Sequence, residues 1–247
     1  MKHFILIFII ANLYLQAQFS GGNGTEATPY EIRTLAELEA VSDFPDKHFI
    51  QMQNITDSLR KPIPYFSGVF DGNNYTIILA IDFCAINPHC DYRTDCGLFQ
   101  YINGAIIKNV VVAGYIEPVN GQFAGGVVGF AQNSEIYNCI NMANIKSGFG
   151  CVGGIAGHFE KGKITHCINL GNVISDAFVG GIVGHFWIGN IINCINAGFI
   201  SAENNIVGGI VGMCERYDYT LINCINTGII EIRNDTNTRA GAIIAPY

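Results

Sequence analysis

The residues of this chain best suited to chemistry are its nine cysteines and six histidines. His166-Cys167 sets a base beside a nucleophile. His158 and His185 stand 27 residues apart and could share an ion, although no third ligand is visible for one. Asp82, Asp91 and Asp95, with His89 and Arg93, could hold a cation. Polysaccharide cleavage would need paired carboxylates on one face, or carboxylates with a metal and a base. Glu135 and Glu160 are the acids to test for that. Each pattern also has a plainer reading. Adjacent side chains on a strand face opposite ways, so His166 is expected at a surface corner and Cys167 inside. The aspartates read as solvated loop charges. Cys139, Cys167, Cys194 and Cys224 recur at one interval, which asks for a structural explanation first.

That interval belongs to a repeat. Gly-Gly-aliphatic-aliphatic-Gly occurs at Gly125–Gly129, Gly153–Gly157, Gly180–Gly184 and Gly208–Gly212. Each is followed by Cys-Ile-Asn, at Cys139, Cys167, Cys194 and Cys224. The second glycines step by 28, 27 and 28 residues, a period of stacked repeats. The step extends backwards through Gly97-Leu98-Phe99 to Gly68-Val69-Phe70. About six coils are expected, starting near Gly68, Gly97, Gly126, Gly154, Gly181 and Gly209, with a partial seventh at Ala240. Helical repeats would need long runs of Ala, Leu, Lys and Glu. These coils offer short Val and Ile runs between Gly and Asn, which is strand and corner chemistry. The expected fold is all-β: a parallel, right-handed β-helix over residues 67–247, with positive backbone angles at Gly and Asn corners.

In register, like stacks on like. Ile78 and Ile81 should align with Ile107 and Val110, and these with Ile136 and Cys139. Ile136, Ile164, Ile191 and Leu221 should form one inward ladder, and Val110 with the four cysteines another. Asn141, Asn169, Asn196 and Asn226 should form a ladder of amides. The chain must bend near Asn138. Parallel Cβ vectors make disulfides between stacked cysteines unfavourable. Any bridge is expected among Cys84, Cys90 and Cys96, in an insertion over residues 82–96. Residues 18–66 read as an α+β cap. Thr34-Leu35-Ala36-Glu37 is a capping box opening a helix to about Val41. Strands are expected at Tyr30 and over His48–Ile55, and a loop over residues 57–65.

The remaining features bear on setting and function. Residues 1–17 read as a signal peptide. No later stretch resembles a transmembrane helix. The net charge of −7 argues against nucleic acid, which needs a basic face. Glu135 aligns with Lys163, Asn190 and Thr220, and Glu160 with Gln132, Trp187 and Glu215. No two acids share a position on adjacent coils. If Ile155 and Ile182 point in, His158 and His185 point out, in register. Phe130 and Met213 share their position and Trp187 lies close by. That strip could stack on sugar rings or a protein partner, or be ordinary or covered surface. No cofactor or metal is expected. The C-terminal edge could support end-to-end association.

The Gly-Gly-Ile-Val-Gly and Asn-Cys-Ile-Asn-x-Gly-x-Ile phrases, such as Asn193–Ile200, resemble the GLUG motif. That motif is found in exported bacterial surface proteins and in immunoglobulin-A-cleaving metalloproteases. Gly21–Thr25, Pro29–Ile32 and Phe66–Asn73 resemble such proteins from Bacteroides-like bacteria. The resemblance implies a secreted or cell-surface solenoid, often adhesive. It implies no catalytic residues, and no His-Glu-x-x-His occurs here. The expected function is non-catalytic binding of a glycan or of a host or cell-surface protein. The alternatives are a polysaccharide-acting enzyme and a ligand-free stalk.

Overall fold

A computed structural model describes residues 18–82, 95–118, 122–203, 206–215, 218–233 and 239–244. It is nearly all-β, with 57% strand and 4% helix, and its parallel sheets form a solenoid of about five turns. The two larger sheets have eleven strands each and the third has five. Among the described residues, no helix is long and apolar enough to cross a membrane. Residues 1–17, Cys84, Cys90 and most of the insertion lie outside the described residues.

From Gly126 onward the register is the one the repeat dictates, apart from a local shift between Phe159 and Lys163. Ile136 pairs with Ile164, Ile164 with Ile191 and Ile191 with Leu221. Val110, Cys139, Cys167 and Cys194 are fully buried, and Cys224 is half-buried on the last coil. Those four cysteines are free thiols. Asn138, His166, Asn193 and Asn223 all have φ between 52° and 55°, so the bend falls on one corner residue per coil. His166 sits at that corner, its Nε2 2.9 Å from Asn193 Nδ2, and is not aimed at the inward Cys167.

The glycine phrase works differently from expectation. None of its glycines has a positive φ; Asn138, His166, Asn193 and Asn223 carry the corner before each Cys-Ile-Asn, and glycines outside the phrase, such as Gly104 and Gly150, take positive φ as expected. The glycines are there because backbone and amides crowd them. A Cβ on Gly154 would lie 2.4 Å from Asn169 Cγ, and one on Gly181 equally close to Asn196 Cγ. The second glycine of each coil therefore makes room for that coil's asparagine. A Cβ on Gly157 would lie 2.4 Å from Ala124 N, and one on Gly184 2.4 Å from Val152 N. The third glycine lets the strands Phe123–Gly125 and Cys151–Gly153 of the small sheet close onto the large one.

The first coils depart from the 29-residue step. Val69 and Phe70 pair with Ile106 and Ile107, not with Leu98 and Phe99. Phe99 pairs instead with Ile63. Ile78 and Ile81 pair with Ala113 and Ile116, not with Ile107 and Val110. The chain between them carries the insertion, so the true step there is longer. Gly68-Val69-Phe70 copies the look of a coil start without its place, which accounts for about five turns rather than six.

Residues 18–66 share the same sheets. Tyr30 pairs with Phe49, Phe49 with Phe70 and Phe70 with Ile107, which carries the inward ladder to the first strand. The capping box forms as read: Thr34 Oγ1 accepts from Glu37 N, and Glu37 accepts from Thr34 N. The helix is Leu35–Glu39 and a 3-10 turn, Ala40–Asp43, completes it. The expected loop at 57–65 is largely strand, Ile55–Leu59 and Ile63–Phe66. Pro64 is tolerated because Ile63–Phe66 is an edge strand, paired on one side only.

Candidate functional site

The strip expected around Phe130, His158, His185 and Met213 exists as a ladder and is longer than expected. Tyr65 pairs with Tyr101, Tyr101 with Phe130, Phe130 with His158, His158 with His185 and His185 with Met213. One ring or thioether per coil thus lies on the outer side of the large sheet. The rings touch: centroids are 5.7 Å apart for Tyr65–Tyr101, 5.2 Å for Tyr101–Phe130 and 4.6 Å for Phe130–His158.

The histidines are not on the open surface. His158 is 4% exposed and His185 9%. The small sheet folds over them at the glycine phrase, and the Phe123 ring lies 4.7 Å from that of His158. Their Nδ1 atoms are 3.0 Å apart, so one donates and the other accepts. Glu215 Oε1 is 3.6 Å from His185 Nε2. That carboxylate favours a proton on His185 Nε2, which leaves His158 as the Nδ1 donor with a bare, buried Nε2. Neither Nε2 has a hydrogen-bond partner. Burial, then the neighbouring His185, pushes the His158 imidazole down to about 3. Burial lowers His185 too, against the pull of Glu215. Trp187 stacks beside His185 at 6.4 Å and is half-buried. It does not align with Glu160, whose partner is Ile188, because the strand pair shifts register after Phe159.

The open part of the ladder is its N-terminal half. Tyr65 is 41% exposed, and Tyr101 and Phe130 are half-exposed. A polar row runs beside these rings. Tyr101 Oη donates to Gln132 Oε1 at 2.9 Å, and Gln132 Nε2 donates to Glu160 Oε2 at 3.0 Å. Burial and the neighbouring Tyr65 raise the Tyr101 phenol above its ordinary value, which keeps it a donor. Three rings at strand spacing, flanked by Gln132 and Glu160, form a half-exposed apolar strip with a polar edge. Tyr65 and Tyr101 are two of its three rings. Tyr65 fell in the loop expected over residues 57–65, whereas Tyr101 stands 29 residues before Phe130 and was open to reading from the repeat step.

A second cleft, of about 400 Å³, lies on the same sheet under Glu26 and Pro29, with His48, Asp71 and Lys108 in its floor. It places two carboxylates together, so it tests the hydrolase reading. Asp71 is fully engaged there. Its Oδ1 accepts from Asn73 N and Asn109 Nδ2, both at 2.9 Å, and Lys108 Nζ lies 3.2 Å from its Oδ2. Such a carboxylate holds a corner. Cys96, away from that cleft, is fully buried and bridges to Ala124 through the backbone.

These features define a parallel β-solenoid with an aromatic outer ladder. The fold is similar to that of a Bacteroides ovatus protein put forward as an immunoglobulin A1 protease, known from a crystal structure. The TM-score is 0.66 at 16% identity, covering 93% of this chain and 87% of that one. No family model matches the sequence, and no curated protein matches it.

Proposed function

We propose that this chain is a secreted or surface-displayed solenoid of the GLUG type that binds glycan along the Tyr65–Tyr101–Phe130 face, without cleaving it. The observation that carries the reading is the register of the three rings, one per coil, beside the Gln132–Glu160 row. A rigid wall presents them at fixed spacing, so little ordering cost falls on binding. Glu160 is tied to Gln132, and Asp71 to its corner, which suits both to positioning. The likeness to the Bacteroides ovatus protein supports the fold of this reading and carries no peptidase chemistry with it.

The test is binding of a panel of oligosaccharides by calorimetry, with Tyr101→Ala beside the wild type. Loss of one stacking ring is expected to weaken binding about fivefold, from roughly 1 kcal/mol of contact. Failure of every sugar to bind at millimolar concentration would overturn the proposal, as would affinity unchanged in Tyr101→Ala. Release of new reducing ends would replace it with the hydrolase reading.

A further inference from the structure

Resting on the glycan-binding reading, we infer that the glycan is acidic, and that a cleft at the start of the ladder holds its carboxylate or sulfate groups. Pro64, one residue before Tyr65, lines a cleft of about 580 Å³. Arg60, Lys61 and Pro62 line it too, together with Glu39 and Ser42 of the helical segment. Arg60 and Lys61 are exposed. The ion pairs among the described residues are Glu31–Arg33, Asp46–Lys47, Asp71–Lys108, Glu215–His185 and Glu231–Arg233, and neither cation belongs to one.

Two adjacent, uncommitted cations stand out in a chain of net charge −7. A guanidinium beside an ammonium offers a planar fork and a point charge, a pairing suited to a carboxylate or a sulfate ester. Pro62 and Pro64 fix the backbone between the cations and the first tyrosine, so the cleft is shaped before a ligand arrives. Glu39 is the one carboxylate in the lining. It can accept from sugar hydroxyls. A chain lying along Tyr101 and Tyr65 would run its next unit past Pro64 towards Arg60 and Lys61.

The experiment compares three oligosaccharides of one length: neutral, uronate-bearing and sulfated. Each is titrated into the wild type, Tyr101→Ala, and Arg60→Ala/Lys61→Ala. Both cations are exposed, so the double variant keeps its fold, checked by its unfolding midpoint. At least one anionic ligand should bind tenfold or more tighter than the neutral one. That advantage should vanish in Arg60→Ala/Lys61→Ala and shrink as salt rises. The uronate and sulfate arms show which group the cleft takes. Neutral and anionic sugars binding equally would overturn this inference and leave the glycan reading standing. An anionic preference surviving the double variant would overturn the cleft's role. Absence of binding to all three would overturn both.

Discussion

At the scale of single residues, the coil is held by an amide wire. Asn141 Nδ2 donates to Asn169 Oδ1 at 2.7 Å, Asn169 to Asn196 at 2.8 Å, and Asn196 to Asn226 at 2.7 Å. Each also donates to a carbonyl two residues on, such as Asn169 to Gly171 at 3.0 Å. The first three are fully buried, so every lost bond leaves a polar group away from water. Asn169→Ala removes two ladder bonds and one corner bond and should destabilise by about 3 kcal/mol. Asn226→Ala lies on the half-exposed last rung, where water can take over, and should cost about 1 kcal/mol or less. Urea unfolding of both variants at unchanged slope checks this; equal costs would show that the ladder is not a cooperative unit. The amide ladder was readable from Cys-Ile-Asn alone. The reason for the neighbouring glycine was not, because only the fold reveals that Gly154 and Asn169 occupy one space.

At the scale of elements, the histidine pair reports how the small sheet closes over the large one. Unfolded imidazoles take up protons below about pH 6.5. Folded His158 holds out to about 3. In that window the unfolded chain binds more protons, so stability falls as pH falls. For His158 alone the loss between pH 7 and pH 5 is about 2 kcal/mol. Asp95 works the other way. Its buried carboxyl is pushed up to about 7, so the folded state keeps a proton that the unfolded state releases, and stability rises as pH falls towards 4. The difference between wild type and His158→Phe removes that contribution. Urea midpoints from pH 7 to pH 5 should show the wild type losing about 2 kcal/mol more than the variant; parallel profiles would mean that the pair is open to water. The pattern of inward and outward residues correctly placed His158 and His185 on the outer side. It could not show the Phe123 strand lying over them, because alternation gives a face and says nothing of what covers it. The first coil failed for another reason: Gly68-Val69-Phe70 matches the repeat phrase in composition, and an insertion of unknown path separates it from Gly97.

At the scale of the whole molecule, the two ends of the solenoid are unlike. At the N-terminal end Glu31 N donates to Gly21 O, and Phe19 stacks on Tyr30 at 4.5 Å, so the lead-in segment covers the first strand. At the other end, among the described residues, the last rung is largely open. Among the described residues, Tyr219–Ile222, Ile225–Asn226 and Ile230–Ile232 each pair only with the preceding coil. Ile222, Ile225 and Ile229 are 46%, 52% and 69% exposed there, whereas Ile200, one coil back from Ile230, is fully buried. Unpaired edges with aliphatic side chains recruit other edges. At the N-terminal end the edge strands Ile55–Leu59 and Ile63–Phe66 pack against the helical segment, so the partner surface expected for the open rung is the same end of a second copy. A symmetric contact of this kind closes at two chains and does not grow into a fibre. Sedimentation over a range of concentrations should therefore show monomer passing to dimer, with no larger species. Ile225→Lys/Ile229→Lys puts two charges on the open rung at exposed positions, so it should leave the fold intact and hold the chain monomeric. A wild type that stays monomeric at high concentration, or a double lysine variant that still dimerises, would show that the open rung does not pair.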